Sequence, residues 1–188
     1  MKPEIEYAPP VSKAPPSNAF LHRAAALLLI SALSTSTFGC FGATISSLDT
    51  PSLQQPVATT LLGDDGAPAP VPVPGARSTV FHFWSASCEP CRRTIPAVVA
   101  KRAEMQQKGA TLVLVAVLEQ GQTANDAKAT LGLWGIEERF VIDMEGAFLR
   151  KVGAKDLPAF AIVDSAGVLR WVAPDGVTIS NILASIPE

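Results

Sequence analysis

Cys88 and Cys91 stand three residues apart where the apolar stretch Phe81-His82-Phe83-Trp84 gives way to Glu89-Pro90-Cys91-Arg92-Arg93. On a helix that opens at this point, the two sulfurs lie one turn apart, close enough to form a disulfide. A cysteine at a helix N-terminus faces unpaired backbone N–H groups and the positive end of the helix dipole, and both favour thiolate over thiol. A thiol of pKa about 8.5 is roughly 3% ionised at pH 7, whereas one of pKa about 7 is half ionised, about a sixteenfold gain. Lower intrinsic nucleophilicity takes back about four- to sixfold, so the better leaving group matters as much as faster attack. The chemistry is reversible thiol–disulfide exchange, with Cys88 at the exposed tip attacking and Cys91, one turn inside, resolving.

Other chemistries fit less well. A purely structural disulfide does not require a helix-opening pair fed by this strand. Zinc wants four ligands, and the only other candidate nearby is His82. Cu(I) accepts two thiolates, so a copper-binding or copper-delivery module using the same cysteines is the alternative reading. No Ser/His/Asp set can be assembled convincingly around His82, the one histidine expected in the mature chain, which lies on a core strand. Glu89, Arg92 and Arg93 read as solvated first-turn residues that would tune Cys88 in opposite directions. Glu119, Glu137, Glu138, Asp143 and Asp164 read as surface and turn residues, and Trp134 and Trp171 as core. Neither a cofactor nor a metal is expected.

The elements that must hold the dithiol are legible as periodic runs. Thr79 to Trp84 reads as a strand, and the helix from Cys88 carries Ile95, Val98, Val99 and Ala103 on one face. Thr111 to Leu118 is a continuous apolar run, the mark of a strand buried on both faces. Thr123 to Asp126 forms a capping box for a helix with Ala127, Leu131 and Trp134 inward. Phe140-Val141-Ile142 and Ile162-Val163 each run into an Asp-x-x-Gly turn pattern, and Val168 to Val172 returns as a hairpin strand. Ile179, Ile182, Leu183 and Ile186 mark a terminal helix with Thr178 as N-cap. A central sheet covered by helices follows, an α/β class.

With these elements in place, Trp84-Ser85-Ala86-Ser87-Cys88-Glu89-Pro90-Cys91-Arg92-Arg93 followed by Pro96 resembles the TlpA/ResA family of extracytoplasmic thioredoxin-like thiol–disulfide oxidoreductases. The resemblance runs from roughly Thr59 to Ile186. Pro96 falls where such helices carry a kinking proline. Leu157-Pro158-Ala159-Phe160-Ala161-Ile162-Val163-Asp164 is similar to the family's cis-proline and the core strand after it. The resemblance implies a thioredoxin-like fold, a central mixed β-sheet flanked by helices, with the TlpA/ResA-type insertion between Leu118 and Asp156. It implies Trp84, Leu157 and Pro158 as substrate-binding residues, the backbone around Leu157 pairing with an extended chain. Protein thiol or disulfide substrates, an upstream electron donor and net reduction of exported proteins such as apocytochrome c are implied as well.

Three positions depart from the family pattern. Ser87 stands where Trp is frequent, Thr94 where Glu is frequent, and His82 where thioredoxin carries Asp and TlpA relatives often Asn. By its position, His82 is expected to act as the general base for Cys91: burial leaves a neutral ring able to accept a proton near pH 7. The plain alternative is a core histidine satisfied by a neighbour.

The N-terminal third has a different composition. Met1 to Arg23 is polar and proline-containing, and Ala24 to Leu33 is an apolar run of export-signal length, followed by small residues ending in Gly39-Cys40. Residues 1–39 are expected to be a signal peptide of lipoprotein type, with Cys40 lipidated. Ordinary cleavage and an uncleaved anchor are the alternatives. Residues 40–75, rich in Pro, Ser and Thr, are expected to be an extended tether, with a first edge strand at 57–62, and 76–188 the folded domain. The chain is 48% hydrophobic with net charge −2 and no long basic run, which argues against nucleic acid as a partner. The expected location is extracytoplasmic, anchored to a bacterial membrane.

Overall fold

The computed structural model describes residues 54–188, so the expected signal peptide and Cys40 lie outside the described residues. In chain order the elements are β1 (Thr59–Gly63), β2 (Pro68–Val71), β3 (Ser78–Trp84), α1 (Glu89–Val99), α2 (Arg102–Gln107), β4 (Ala110–Leu118), α3 (Ala124–Leu133), β5 (Phe140–Met144), α4 (Ala147–Lys151), β6 (Ala159–Asp164), β7 (Leu169–Val172) and α5 (Ile179–Ala184). The strands form one mixed sheet of order β2-β1-β5-β4-β3-β6-β7. β3, β4 and β5 are parallel, while β1, β6 and their outer partners β2 and β7 pair antiparallel. This is the thioredoxin-like α/β fold.

β3 is central and buried along its whole length. Its side chains alternate between two cores. Val80 and Trp84 pack with Cys91, Ile95, Val98 and Ile182 on one face, and Phe81 and Phe83 with Phe148, Val57 and Val152 on the other. Phe148 meets Phe81 edge to face at 5.2 Å, which seats α4 across the second face.

Three expectations need correction. The helix after Cys88 does not continue through Ala103. It ends at Val99, and a new helix begins at Arg102, turning Ala103 outward and Met105 into the core. Asp143 is not a surface turn residue. It is buried, and its carboxylate accepts from the Phe148 and Leu149 N–H groups at 2.8 Å each, closing the first turn of α4. Burial raises its pKa, and those two N–H groups oppose the rise.

The third correction concerns the tether, whose last part is folded. β1 and β2 form a hairpin docked on β5, displaced slightly from the expected 57–62 strand. Pro68 and Pro70 sit opposite Leu62 and Thr60, while the alternate residues Ala69 and Val71 face Leu61 and Thr59. The Ala67 carbonyl, in phase with Ala69 and Val71, accepts from Gly63 N–H at 2.8 Å. The prolines therefore occupy the outward positions of an edge strand, where a missing N–H costs no ladder bond and blunts the edge. Upstream, Gln54 N–H donates to the Leu169 carbonyl at 2.9 Å, and Val57 N–H to the Gly167 carbonyl at 2.8 Å. Val57 is fully buried. Residues 54–58 thus strap across the second face, and the packed domain does not begin at 76.

Candidate active site

Cys88 is the N-cap of α1 rather than its first helical residue. Its sulfur accepts from the Cys91 N–H at 3.2 Å, which places one of the orphan donors of the helix on the attacking atom. Pro90 follows inside the first turn, where the lost N–H had no helical partner. Cys88 and Cys91 are joined as a disulfide with Cα atoms 5.3 Å apart. Cys88 retains 7% exposure and Cys91 none, so a partner can reach only the first sulfur.

His82 faces α1 from the strand below. It is fully buried, with its ring 4.5 Å from that of Phe160. Its Nε2 lies 3.1 Å from Thr94 Oγ1, which in turn lies 3.3 Å from the Cys91 carbonyl oxygen. Nδ1 is buried with no partner among the described residues. Burial alone pushes the ring's pKa from 6.5 down to about 3, so the ring is neutral at pH 7. The three positions joined here, 82, 91 and 94, include two of the departures from the family pattern.

The loop before Cys88 is tied down by a residue expected only to decorate the surface. Ser85 Oγ lies 3.0 Å from Ser87 Oγ, and Ser87 donates to Glu119 Oε1 at 3.0 Å. Glu119 follows β4 directly, and β4 is the parallel neighbour of β3, so its carboxylate reaches the same end of the sheet. Its place immediately after the apolar run Leu112 to Leu118 is the only signal in the sequence.

Pro158 follows a cis peptide bond with Leu157. Both residues, with Thr94 and Phe160, line a cleft of about 710 Å³ whose rim also carries Lys155 and Asp175. Trp84 does not join this surface. It is fully buried, with Trp134 at 5.7 Å and Phe140 at 5.9 Å, so it supports the site from beneath and cannot touch a substrate. Among the described residues no group of three His, Cys, Asp or Glu side chains is placed to hold a metal ion, and no helix is long and apolar enough to cross a membrane.

The AhpC/TSA family model matches residues 71–172, which contain the dithiol, the insertion and the cis-proline strand. The chain belongs to the AhpC/TSA family. Its site is that of a thioredoxin-like thiol–disulfide oxidoreductase. Thiol-disulfide oxidoreductase YkuV of Bacillus subtilis is 28% identical over 103 residues, 54% of this chain and 70% of that protein. A secreted Mycobacterium tuberculosis disulfide oxidoreductase homologous to E. coli DsbE superposes with a TM-score of 0.53 at 16% identity, covering 69% of this chain and 95% of its own. The pneumococcal exposed lipoprotein thioredoxin Etrx1 of Streptococcus pneumoniae superposes with a TM-score of 0.56 at 19% identity, covering 69% and 97%. At those identities the two structures share the fold.

Proposed function

We propose that the chain reduces disulfides of exported proteins outside the cytoplasm. The observation that carries this reading is the graded exposure of the two cysteines, 7% for Cys88 against 0% for Cys91. The Cys88 thiolate attacks one sulfur of a substrate disulfide, and the other sulfur leaves as thiolate. Cys91 then loses its proton and attacks the Cys88 sulfur of the mixed disulfide, expelling the second substrate thiolate. The substrate gains two electrons and two protons, and the chain is left as the Cys88–Cys91 disulfide. An upstream thiol donor must return the two electrons. Leu157 and Pro158 line the cleft that also takes in Thr94, three residues after Cys91 on α1, and an extended substrate chain would lie there.

His82 serves as the acceptor for the Cys91 proton, but only in passing. From an ordinary thiol of pKa about 8.5 to a ring near 3, transfer is uphill by about 5–6 units, or about 7–8 kcal/mol. The extracytoplasmic location and lipid attachment at Cys40 rest on the sequence before residue 41 and on the secreted and exposed-lipoprotein names of the two structural neighbours.

Insulin reduction tests the activity: the wild-type chain should accelerate it, and Cys88→Ser should not. The reduction potential tests the direction. A value near the about −270 mV of thioredoxin supports reduction, whereas one near the about −120 mV of DsbA would make the chain an oxidant. Metabolic labelling with a fatty acid tests Cys40: label on the wild type and none on Cys40→Ser is expected, and an unlabelled wild type would remove the lipid anchor.

A further inference from the structure

The Thr94 hydroxyl has one hydrogen and two atoms that could take it, the Cys91 carbonyl oxygen at 3.3 Å and His82 Nε2 at 3.1 Å. If it goes to Nε2, the neutral ring must carry its own proton on Nδ1, and that N–H is buried with no partner among the described residues. If it goes to the Cys91 carbonyl, Thr94 makes the back-bond to i−3 that threonine adopts readily in helices and accepts from Nε2–H. Only a lone pair on Nδ1 is then unused. Orphaned buried N–H groups are rare in folded proteins, and under-used acceptors less so. The second arrangement also satisfies all three polar atoms of the Cys91–Thr94–His82 chain at once.

We propose that Thr94 is a positioning residue that holds His82 in its Nε2–H tautomer, leaving Nδ1 as the ring atom open to a proton. Because Thr94 bonds the carbonyl of Cys91 itself, the ring is keyed to the helical turn that carries the resolving sulfur. The pair supplies an acceptor without placing a charge beneath the disulfide, as a buried carboxylate would. Only the catalytic consequence of this assignment rests on the dithiol function proposed above; the tautomer itself does not.

Long-range ¹H–¹⁵N correlation of the ¹⁵N-labelled full chain reads the tautomer directly, with His82 identified by the signals lost in His82→Leu. Oxidised wild type should show a protonated Nε2 and a bare Nδ1 between pH 6 and 8. Thr94→Val, which keeps shape and loses the hydroxyl, should give a mixture of tautomers and slow the resolution step about three- to tenfold. Thr94→Ser should restore both. A proton on Nδ1 in the wild type, or an unchanged tautomer and rate in Thr94→Val, would overturn the proposal. If the expected tautomer is found in a chain that does not reduce insulin, the positioning stands and the enzymatic reading falls. With the wrong tautomer in a chain that does reduce insulin, the enzymatic reading stands and the positioning falls.

Discussion

The Ser87 hydroxyl donates to the Glu119 carboxylate at 3.0 Å, joining the residue before the attacking sulfur to the residue after β4. The bond fixes a negative charge beside the loop that presents Cys88. Glu119→Gln keeps an acceptor for Ser87 and removes the charge. With Cys40 and Cys91 replaced by serine, Cys88 should then be alkylated at pH 7 about 1.4- to fivefold faster, the range expected for one charge at an exposed site. An unchanged or slower rate would leave the tie a purely geometric role.

The order of attack follows from burial. Cys91→Ser should trap a mixed disulfide through Cys88, and Cys88→Ser should trap none, because Cys91 is out of reach at 0% exposure. Mass spectrometry that found the adduct on Cys91 of the Cys88→Ser chain would reverse the assignment.

Acid should destabilise the fold through His82. Its folded pKa of about 3 lies below the unfolded 6.5, so between those values the unfolded chain binds a proton that the folded chain refuses. Stability is fully present well above pH 6.5 and falls as the pH drops, by about 2 kcal/mol between pH 6.5 and 4.5. Asp143, whose pKa is raised by burial, acts with the opposite sign at lower pH. Urea titrations across this range should show the slope in wild type and a much flatter one in His82→Leu. Parallel curves would mean that the ring finds a proton at ordinary pH.

The strap should behave as core. Val57→Ala removes two methyl groups from a fully buried position and should cost roughly 1–3 kcal/mol. A substitution in a solvated tether would cost almost nothing, so an unchanged urea midpoint would return residues 54–58 to the linker.

The parts of the fold that were legible are those where local pattern and burial agree. Leu112 to Leu118 is apolar throughout because both its faces are largely covered, and Thr123 and Thr178 each make both bonds of a capping box. The dithiol was legible for the same reason, since its chemistry demands a strand, a helix start and a fixed spacing. Alternating prolines, by contrast, look the same in a solvated polyproline segment and in the outward positions of an edge strand. Only the register of Pro68 and Pro70 against β1 separates the two. The burial of Asp143 and the bond from Ser87 to the exposed Glu119 escape the sequence because a carboxylate's partners, here the Phe148 and Leu149 N–H groups or the Ser87 hydroxyl, are set by the fold. Trp84 was assigned to the surface by resemblance, and its partners Trp134 and Phe140 come from the insertion, which closes over it.

Because Gln54 is already hydrogen-bonded to Leu169, a lipid on Cys40, as proposed above, would be joined to the folded body by a leash of at most 14 steps, from residue 40 to residue 54. Fully extended at 3.3–3.6 Å per residue, it reaches about 50 Å, where a linker running to residue 75 would have reached more than twice as far. A dithiol domain anchored as proposed would stay within that reach of the membrane.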